Sequence, residues 1–147
     1  MSIKASEQVA VLGVLAPASQ ATGAGGTGWV SAAKFAKFLA IINTGVLGAS
    51  ATVDAKFQQA LDNAGTGAKD VPGRAITQVV VATGNNSQAL LNMDEQDLDA
   101  NGGFSFIKVV TNVGAAASIF DVLLLGFDAS YGPASDSNAA TVLQVAG

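Results

Sequence analysis

Cysteine and histidine are both absent from this chain of 147 residues. Their absence removes thiol nucleophiles, disulfides, zinc sites of the usual kind, Ser-His-Asp triads and imidazole general bases together. Charge is the second shortage. Lys, Arg, Asp and Glu make up 12% of the residues, about half the ~25% typical of soluble domains. A free monomer normally covers itself with such side chains, whereas a subunit that hides surface against neighbours needs fewer. The charge that exists, eleven acids against seven bases for a net −4, lacks the basic face that a nucleic-acid partner would want. Long apolar runs are missing too. None approaches the ~18 residues of a membrane span, so no membrane partner is expected. Residues 9–16 are short for a signal-peptide core, Gly13 and Pro17 interrupt or end them, and Ala16-Pro17-Ala18 makes a poor cleavage site. No signal peptide is expected, and the protein reads as soluble and made in the cytoplasm.

Strand signal dominates what is present. Residues 51–58 alternate, with Ala51, Val53, Ala55 and Phe57 on one face and Thr52, Asp54, Lys56 and Gln58 on the other. That is the period of a half-buried strand, although Val53, Phe57, Ala60 and Leu61 also fit a helical period. Gly45 and Gly48 sit just before it, and the apolar run 38–42 before those, which is a hairpin signature. The same grammar recurs where 75–82 and 88–93 flank the turn-rich 83–87, and where 104–112 and 119–127 flank a link containing Gly114. With 9–15 as a further strand, about seven strands emerge at the spacing of a sandwich or jelly roll. Helix is weakly signalled, as a turn or two over 31–37 with Ser31 as cap and another over 94–98.

The expected architecture is therefore all-β: one β-sandwich or jelly-roll domain over 1–147, with long loops and extended terminal arms at 1–8 and 128–147. Irregular structure is predicted for 18–28, 62–74 and 128–140, and long ordered loops in a small domain are usually functional or contact surfaces. Three predicted strands are apolar on both faces. Val9, Val11 and Leu15 oppose Ala10, Leu12 and Val14; Leu39 and Ile41 oppose Phe38, Ala40 and Ile42; Ile119, Leu123, Leu125 and Phe127 oppose Phe120, Val122 and Leu124. A two-layer sandwich hides one face of each strand. With little helix to cover the other, an arm or another subunit has to.

Several motifs invite a site and fail on context. Gly23-Ala24-Gly25-Gly26-Thr27-Gly28 matches the dinucleotide pattern GxGxxG, which needs its glycines in a tight strand-to-helix turn. Seven residues separate the strand from the first glycine, and no acid stands about 20 positions on, so a flexible loop is the reading. Asp97-Leu98-Asp99-Ala100-Asn101-Gly102 opens like a calcium loop, but Lys108 stands where the bidentate Glu belongs and a strand follows in place of a helix. A polar turn fits better, with weak cation binding left open. Asp94, Glu95, Asp97 and Asp99 face no opposing acid cluster, so paired acid-base work is not expected. Trp29 and Tyr131 suit anchors that fill a pocket on the protein or on a neighbour better than a sugar platform. No catalytic residue, cofactor or metal is expected.

One resemblance runs through most of the chain. Gly28-Trp29-Val30, Phe35, the run Phe38-Leu39-Ala40-Ile41-Ile42 and Gly45 begin it. Ala51-Thr52-Val53-Asp54-Ala55-Lys56-Phe57-Gln58-Gln59-Ala60, Gly67-Ala68-Lys69-Asp70-Val71 and Ala75-Ile76-Thr77-Gln78 continue it. Leu124-Leu125-Gly126-Phe127-Asp128 with Tyr131-Gly132-Pro133-Ala134 ends it. In these packing and turn positions the chain resembles small capsid decoration, or cement, proteins of tailed bacteriophages. The resemblance implies a non-enzymatic virion subunit on the capsid surface that oligomerises, as a homodimer or trimer, and bridges neighbouring major capsid proteins. Tail-tube or head-completion subunits and a carbohydrate-binding sandwich module are the alternatives. Contact residues would be Trp29, Phe35, Phe38, Tyr131, Pro133, Val142, Leu143 and Val145.

Overall fold

The computed structural model describes residues 4–130 and 140–147. Ten strands appear among them: β1 (Val9–Gln20), β2 (Gly23–Gly26), β3 (Val30–Ser31), β4 (Phe35–Thr44), β5 (Thr52–Ala60), β6 (Lys69–Ala75), β7 (Val79–Val80), β8 (Gln88–Asp94), β9 (Phe106–Gly114) and β10 (Ser118–Ala129). A single helical turn, α1 (Ala5–Gln8), precedes β1; a second, α2 (Val81–Gly84), precedes β8; a 3₁₀ turn spans Glu95–Asp97.

The pairing is nested. The first strand, β1, pairs with the last, β10; β2 and β3 pair with β9; β4 pairs with β8; β5 pairs with β6 and β7. Two further antiparallel pairings, β10 with β4 and β9 with β5, join these hairpins sideways. The result is sheet A, in the order β1-β10-β4-β8, and sheet B, in the order β2-β9-β5-β6, with β3 and β7 extending its edges. A long hairpin rolled so that its halves close two facing sheets is a jelly roll.

Between the sheets lies one core. Phe38, Ala40 and Ile42 of β4, Phe120, Val122 and Leu124 of β10, and Leu91 and Met93 of β8 meet Val53, Ala55 and Phe57 of β5 and Ile107 and Val109 of β9. The strict alternation of β5 explains why it is a strand. A helix over the same residues would put Asp54 or Lys56 into that core, and each full apolar side chain buried contributes about 1.5–3 kcal/mol.

Rolling corrects all three expected hairpins. Gly45 to Ser50 does carry β4 away, but β5 belongs to the other sheet, so the link crosses the sandwich. Leu47 plugs that crossing from within, buried, with its amide donating to Asn85 Oδ1 at 2.8 Å. The links from β7 to β8 and from β9 to β10 cross between sheets in the same way. Glycine before an alternating run signals a change of direction, not which sheet receives the strand. The expected strand at 75–82 is therefore only Val79–Val80, followed by α2.

Other boundaries move for the same tertiary reasons. The glycine-rich 18–28 is not a loop: β1 runs on to Gln20, and Gly23–Gly26 hydrogen-bonds along β9. The predicted helical turn at 31–37 is β3 and the start of β4. Ser31 Oγ does accept from the Ala33 amide at 3.3 Å, but it caps a bend, because pairing with β9 and β10 outweighs weak helix propensity. Part of 62–74 is strand β6, where Pro72 is tolerated at a sheet edge. The 3₁₀ turn at Glu95–Asp97 falls within the turn that the sequence predicts over 94–98.

Candidate contact surface

The two sheets turn different chemistry outward. On sheet B, the outward side chains of β5 are Thr52, Asp54, Lys56 and Gln58, and the last three pair with side chains at the sheet's edge. Asp70 accepts from Lys56 Nζ and from Gln58 Nε2, both at 2.9 Å, and Asp54 accepts from Gln78 Nε2 at 2.9 Å. Those bonds, Gln58 first and Lys56 second, hold the Asp70 carboxyl below its usual range. This is an outer face finished for water.

Sheet A is otherwise. Its register aligns four rows across the outer face. The first is Val9, Phe127, Lys37 and Asp94; the second is Val11, Leu125, Leu39 and Asn92; the third is Val14, Leu123, Ile41 and Leu90. The fourth is Asp121, Asn43 and Gln88. The two middle rows are apolar but for Asn92, and Leu90 is 61% exposed. Polar groups stand at the ends, where Lys37 lies 3.8 Å from Asp94 and Asn43 Nδ2 donates to Asp121 at 3.0 Å. A β-bulge at Gly13 shifts the parity of β1. Val14 therefore joins Val9 and Val11 outside, while Leu15 turns to the core, the reverse of simple alternation.

The sequence-derived contact residues scatter. Phe35 and Phe38 are each 2% exposed and meet edge to face, with ring centroids 6.4 Å apart. Their rings lie inside this subunit and leave no surface for a neighbour. Trp29 is half-buried on its own protein: Lys108 Nζ sits 5.0 Å from its ring centroid, and a Cβ on Gly65 would stand 2.6 Å from its Nε1. Glycine at 65 is what lets the indole approach that loop so closely. Tyr131 and Pro133 lie outside the described residues. In the tail, Val142 is half-buried, while Leu143 is 94% exposed and Val145 is exposed. The tail's end is tied back where Lys4 Nζ donates to the Gly147 carbonyl. Leu39, Ile41, Leu123 and Leu125 were visible in the sequence as second faces. Leu90 was not, because β8 carries Asn92 and Gln88 beside it.

The turn resembling a calcium loop uses its carboxylates internally. Asp97 accepts from Arg74 Nε at 2.9 Å and Nη2 at 3.0 Å, and from the Asp94 amide at 2.8 Å. Burial is the largest influence on its pKa and pushes it up, but Arg74 and the Asp94 amide together outweigh burial and hold it low. Asp99 accepts from Lys69 at 2.7 Å and from the Gly102 amide at 3.0 Å, which hold it low as well. Lys69 also lies 4.2 Å from the Phe104 ring centroid. The two acids face separate cations and do not converge. Among the described residues, no group of three or more His, Cys, Asp or Glu side chains is placed to hold a metal ion. The carboxylates of this turn are committed to ion pairs and backbone bonds within the subunit. No helix among them is long and apolar enough to cross a membrane.

No protein-family model and no curated protein sequence matches the chain. Solved structures with a similar course of chain include the SPBc2 prophage-derived protein YomS, at 9% identity and a TM-score of 0.43 over 79% of this chain and 92% of that one. The subunit of Bacillus endospore appendages, disulfide-linked pili, is 14% identical with a TM-score of 0.40 over 86% and 96%. A chain of the empty particles of cowpea mosaic virus is 11% identical with a TM-score of 0.43 over 90% and 92%. At TM-scores this low the likenesses carry no weight for role, and the jelly-roll assignment rests on the strand order itself.

Proposed function

We propose that the chain is a structural virion subunit that decorates a bacteriophage capsid and stabilises it by bridging neighbouring major capsid proteins. The observation that carries this reading is the contrast between the outer faces of the two sheets. Sheet B ends in paired polar groups, whereas sheet A exposes two adjoining apolar rows on a domain whose core is already complete. An apolar sheet face beyond the core marks a surface made to be covered by protein. The sequence resemblance to cement proteins points to a capsid as the place. The exposed apolar tail offers a second point of attachment. In this reading the protein works as a homo-oligomer and has no substrate.

The test is co-sedimentation with capsids purified without this protein, followed by thermal rupture of the particles. Saturable binding with a raised rupture temperature is the expected result. Absence of binding, or electron microscopy that places the chain along a tail, would replace this reading with that of another phage structural subunit.

A further inference from the structure

We propose that Asn101-Gly102 is a site of spontaneous covalent ageing, and that Asp99 sets its rate by holding the Gly102 amide. The reaction needs no enzyme. The Gly102 nitrogen gives up its proton to solvent base and attacks Cγ of Asn101. The new N–Cγ bond closes a cyclic imide, the Cγ–Nδ2 bond breaks, and Nδ2 leaves as ammonia with a proton taken from water. A second water then opens the ring at one carbonyl or the other. One opening leaves aspartate, and the other leaves isoaspartate, whose main chain runs through Cβ.

The structure singles out this asparagine. Asn43, Asn92 and Asn112 lie inside β4, β8 and β9, where the sheet fixes the residue that follows. Asn85 is occupied, its Oδ1 accepting from the Leu47 amide. Asn63 and Asn86 are followed by Ala64 and Ser87, whose side chains crowd the attacking nitrogen and whose amides donate to Asp62 Oδ1 and Thr44 Oγ1, each at 2.9 Å. Asn138 lies outside the described residues. Asn101 is exposed, between the 3₁₀ turn and β9, and the residue after it has no side chain to shield its nitrogen.

Asp99 both imposes the glycine and covers its amide. A Cβ at 102 would stand 2.6 Å from Asp99 Oδ2 and 3.0 Å from Phe104 Cδ2. Asp99 is pinned there, since Lys69 Nζ holds Oδ2 at 2.7 Å and the Gly102 amide donates to Oδ1 at 3.0 Å. A proton shared with a carboxylate is harder to lose, because the nitrogen anion that attacks would face a second negative charge. The turn thus contains a reactive step and a brake on it. An isoaspartate at 101 lengthens the chain between Ala100 and Gly103. That stretch is spanned by the bonds from the Gly103 amide to the Ala100 carbonyl and from the Phe104 amide to the Asp99 carbonyl. The change reaches inward, because the Asp99 amide donates to Oε1 of the buried Gln59 at 2.8 Å.

The test is to hold the full chain at mildly alkaline pH and follow each asparagine by mass spectrometry of proteolytic peptides, with isoaspartate detected by enzymatic methyl transfer. Wild type should convert at Asn101 ahead of every other asparagine, and faster in proportion to hydroxide. Asn101→Gln should abolish that conversion. Asp99→Ala should speed it about tenfold, the worth of one charge-assisted hydrogen bond. Asp99→Asn, which keeps the shape of the side chain and loses its charge, should fall between that variant and wild type. Lys69→Gln frees one side of Asp99 but leaves the Gly102 amide on a carboxylate, so its rate should not rise. Conversion that begins at another asparagine would overturn the site. Asp99 variants no faster than wild type, or Lys69→Gln as fast as Asp99→Ala, would overturn the brake.

Discussion

The glycine-rich segment 23–28 offers the sharpest check on the fold, because loop and edge strand predict opposite outcomes there. Gly26 has φ +139°, and a Cβ on it would stand 2.1 Å from the Val109 carbonyl oxygen. A backbone carbonyl in a central strand cannot move aside, so Gly26→Ala must lift β2 off β9. The next residue then loses its place. The Thr27 amide donates to the Val109 carbonyl at 2.9 Å, and Thr27 Oγ1 accepts from the buried Val109 amide at 3.0 Å. Forced backbone costs about 1–3 kcal/mol. Losing the two hydrogen bonds and leaving a buried amide unsatisfied costs about 2–4 kcal/mol more. The expected loss is about 3–7 kcal/mol. Gly23 has φ +113° but nothing within 4 Å of a Cβ, so Gly23→Ala should cost about 1 kcal/mol from backbone alone. Gly28 has open space and no left-handed φ, so Gly28→Ala should fall within about 0.5 kcal/mol of wild type. Urea unfolding at one fixed protein concentration reads the series, since any self-association would add to apparent stability. Three alanine variants with the same midpoint would mean that 23–28 is the loop its composition suggests, and the β2–β9 pairing would be refuted.

Three further outcomes follow from the same structure. Asp70, Asp97 and Asp99 are held below the usual aspartate range by their partners, so the unfolded chain takes up protons first on acidification. Their stabilisation is complete above about pH 5 and fades below about pH 4, and with no histidine the curve between about pH 5 and 8 should be flat. Arg74→Gln should shallow the acid limb; urea midpoints that fall in parallel for both proteins would show that the Arg74–Asp97 pair contributes nothing. Chelator should leave the melting temperature unchanged, because Lys69 and Arg74 already occupy the acids of the Asp97 turn; a rise of several degrees with calcium would reverse that account. Ending the chain after Ser130 keeps the Ala129–Phe35 pairing and the Ser130 amide bond to the Lys34 carbonyl. Circular dichroism should survive while capsid binding weakens, and a truncated chain that binds as tightly as the full one would leave the arm without a role.

The fold class and the strands near 9–15, 51–58, 104–112 and 119–127 are legible in the sequence, 51–58 from its clean alternation and 9–15 and 119–127 as apolar runs, although the bulge at Gly13 reverses the faces of Val14 and Leu15. Phe57 and its neighbours show the period directly. Connectivity was not legible. The three apparent hairpins share their grammar with links between sheets, and only the nested pairing of β1 with β10 and β4 with β8 tells them apart. Edge strands made of glycine were hidden for another reason. β2 is held by backbone bonds to β9 alone, and its side chains say nothing. Phe35 and Phe38 looked like anchors because large aromatics serve cores and interfaces equally. Their burial settles which. Leu90 carries no signal in the sequence, because one apolar residue between Gln88 and Asn92 on its face has no pattern of its own.

A strand apolar on both faces has two physical explanations, and the distribution of charge separates them. If the second faces were covered by this chain's own segments, they would be buried in the monomer. Leu123, Leu125, Leu39 and Ile41 instead stay partly exposed, and Leu90 largely so. If low charge were a property of the whole surface, both sheets would lack it alike. Sheet B carries Asp54, Lys56, Asp70 and Lys108 on its strands, two of them in a direct ion pair. The outer rows of sheet A hold Lys37, Asp94 and Asp121, all in the flanking rows and none in the middle two. The scarcity of charge is thus concentrated where strands of the first and last thirds of the chain lie side by side. The nested roll puts them there, since pairing β1 with β10 and β10 with β4 brings three two-faced strands into adjacent places. Apolar second faces that are separate in sequence become one continuous surface only through that topology, and a continuous surface is what a partner can cover.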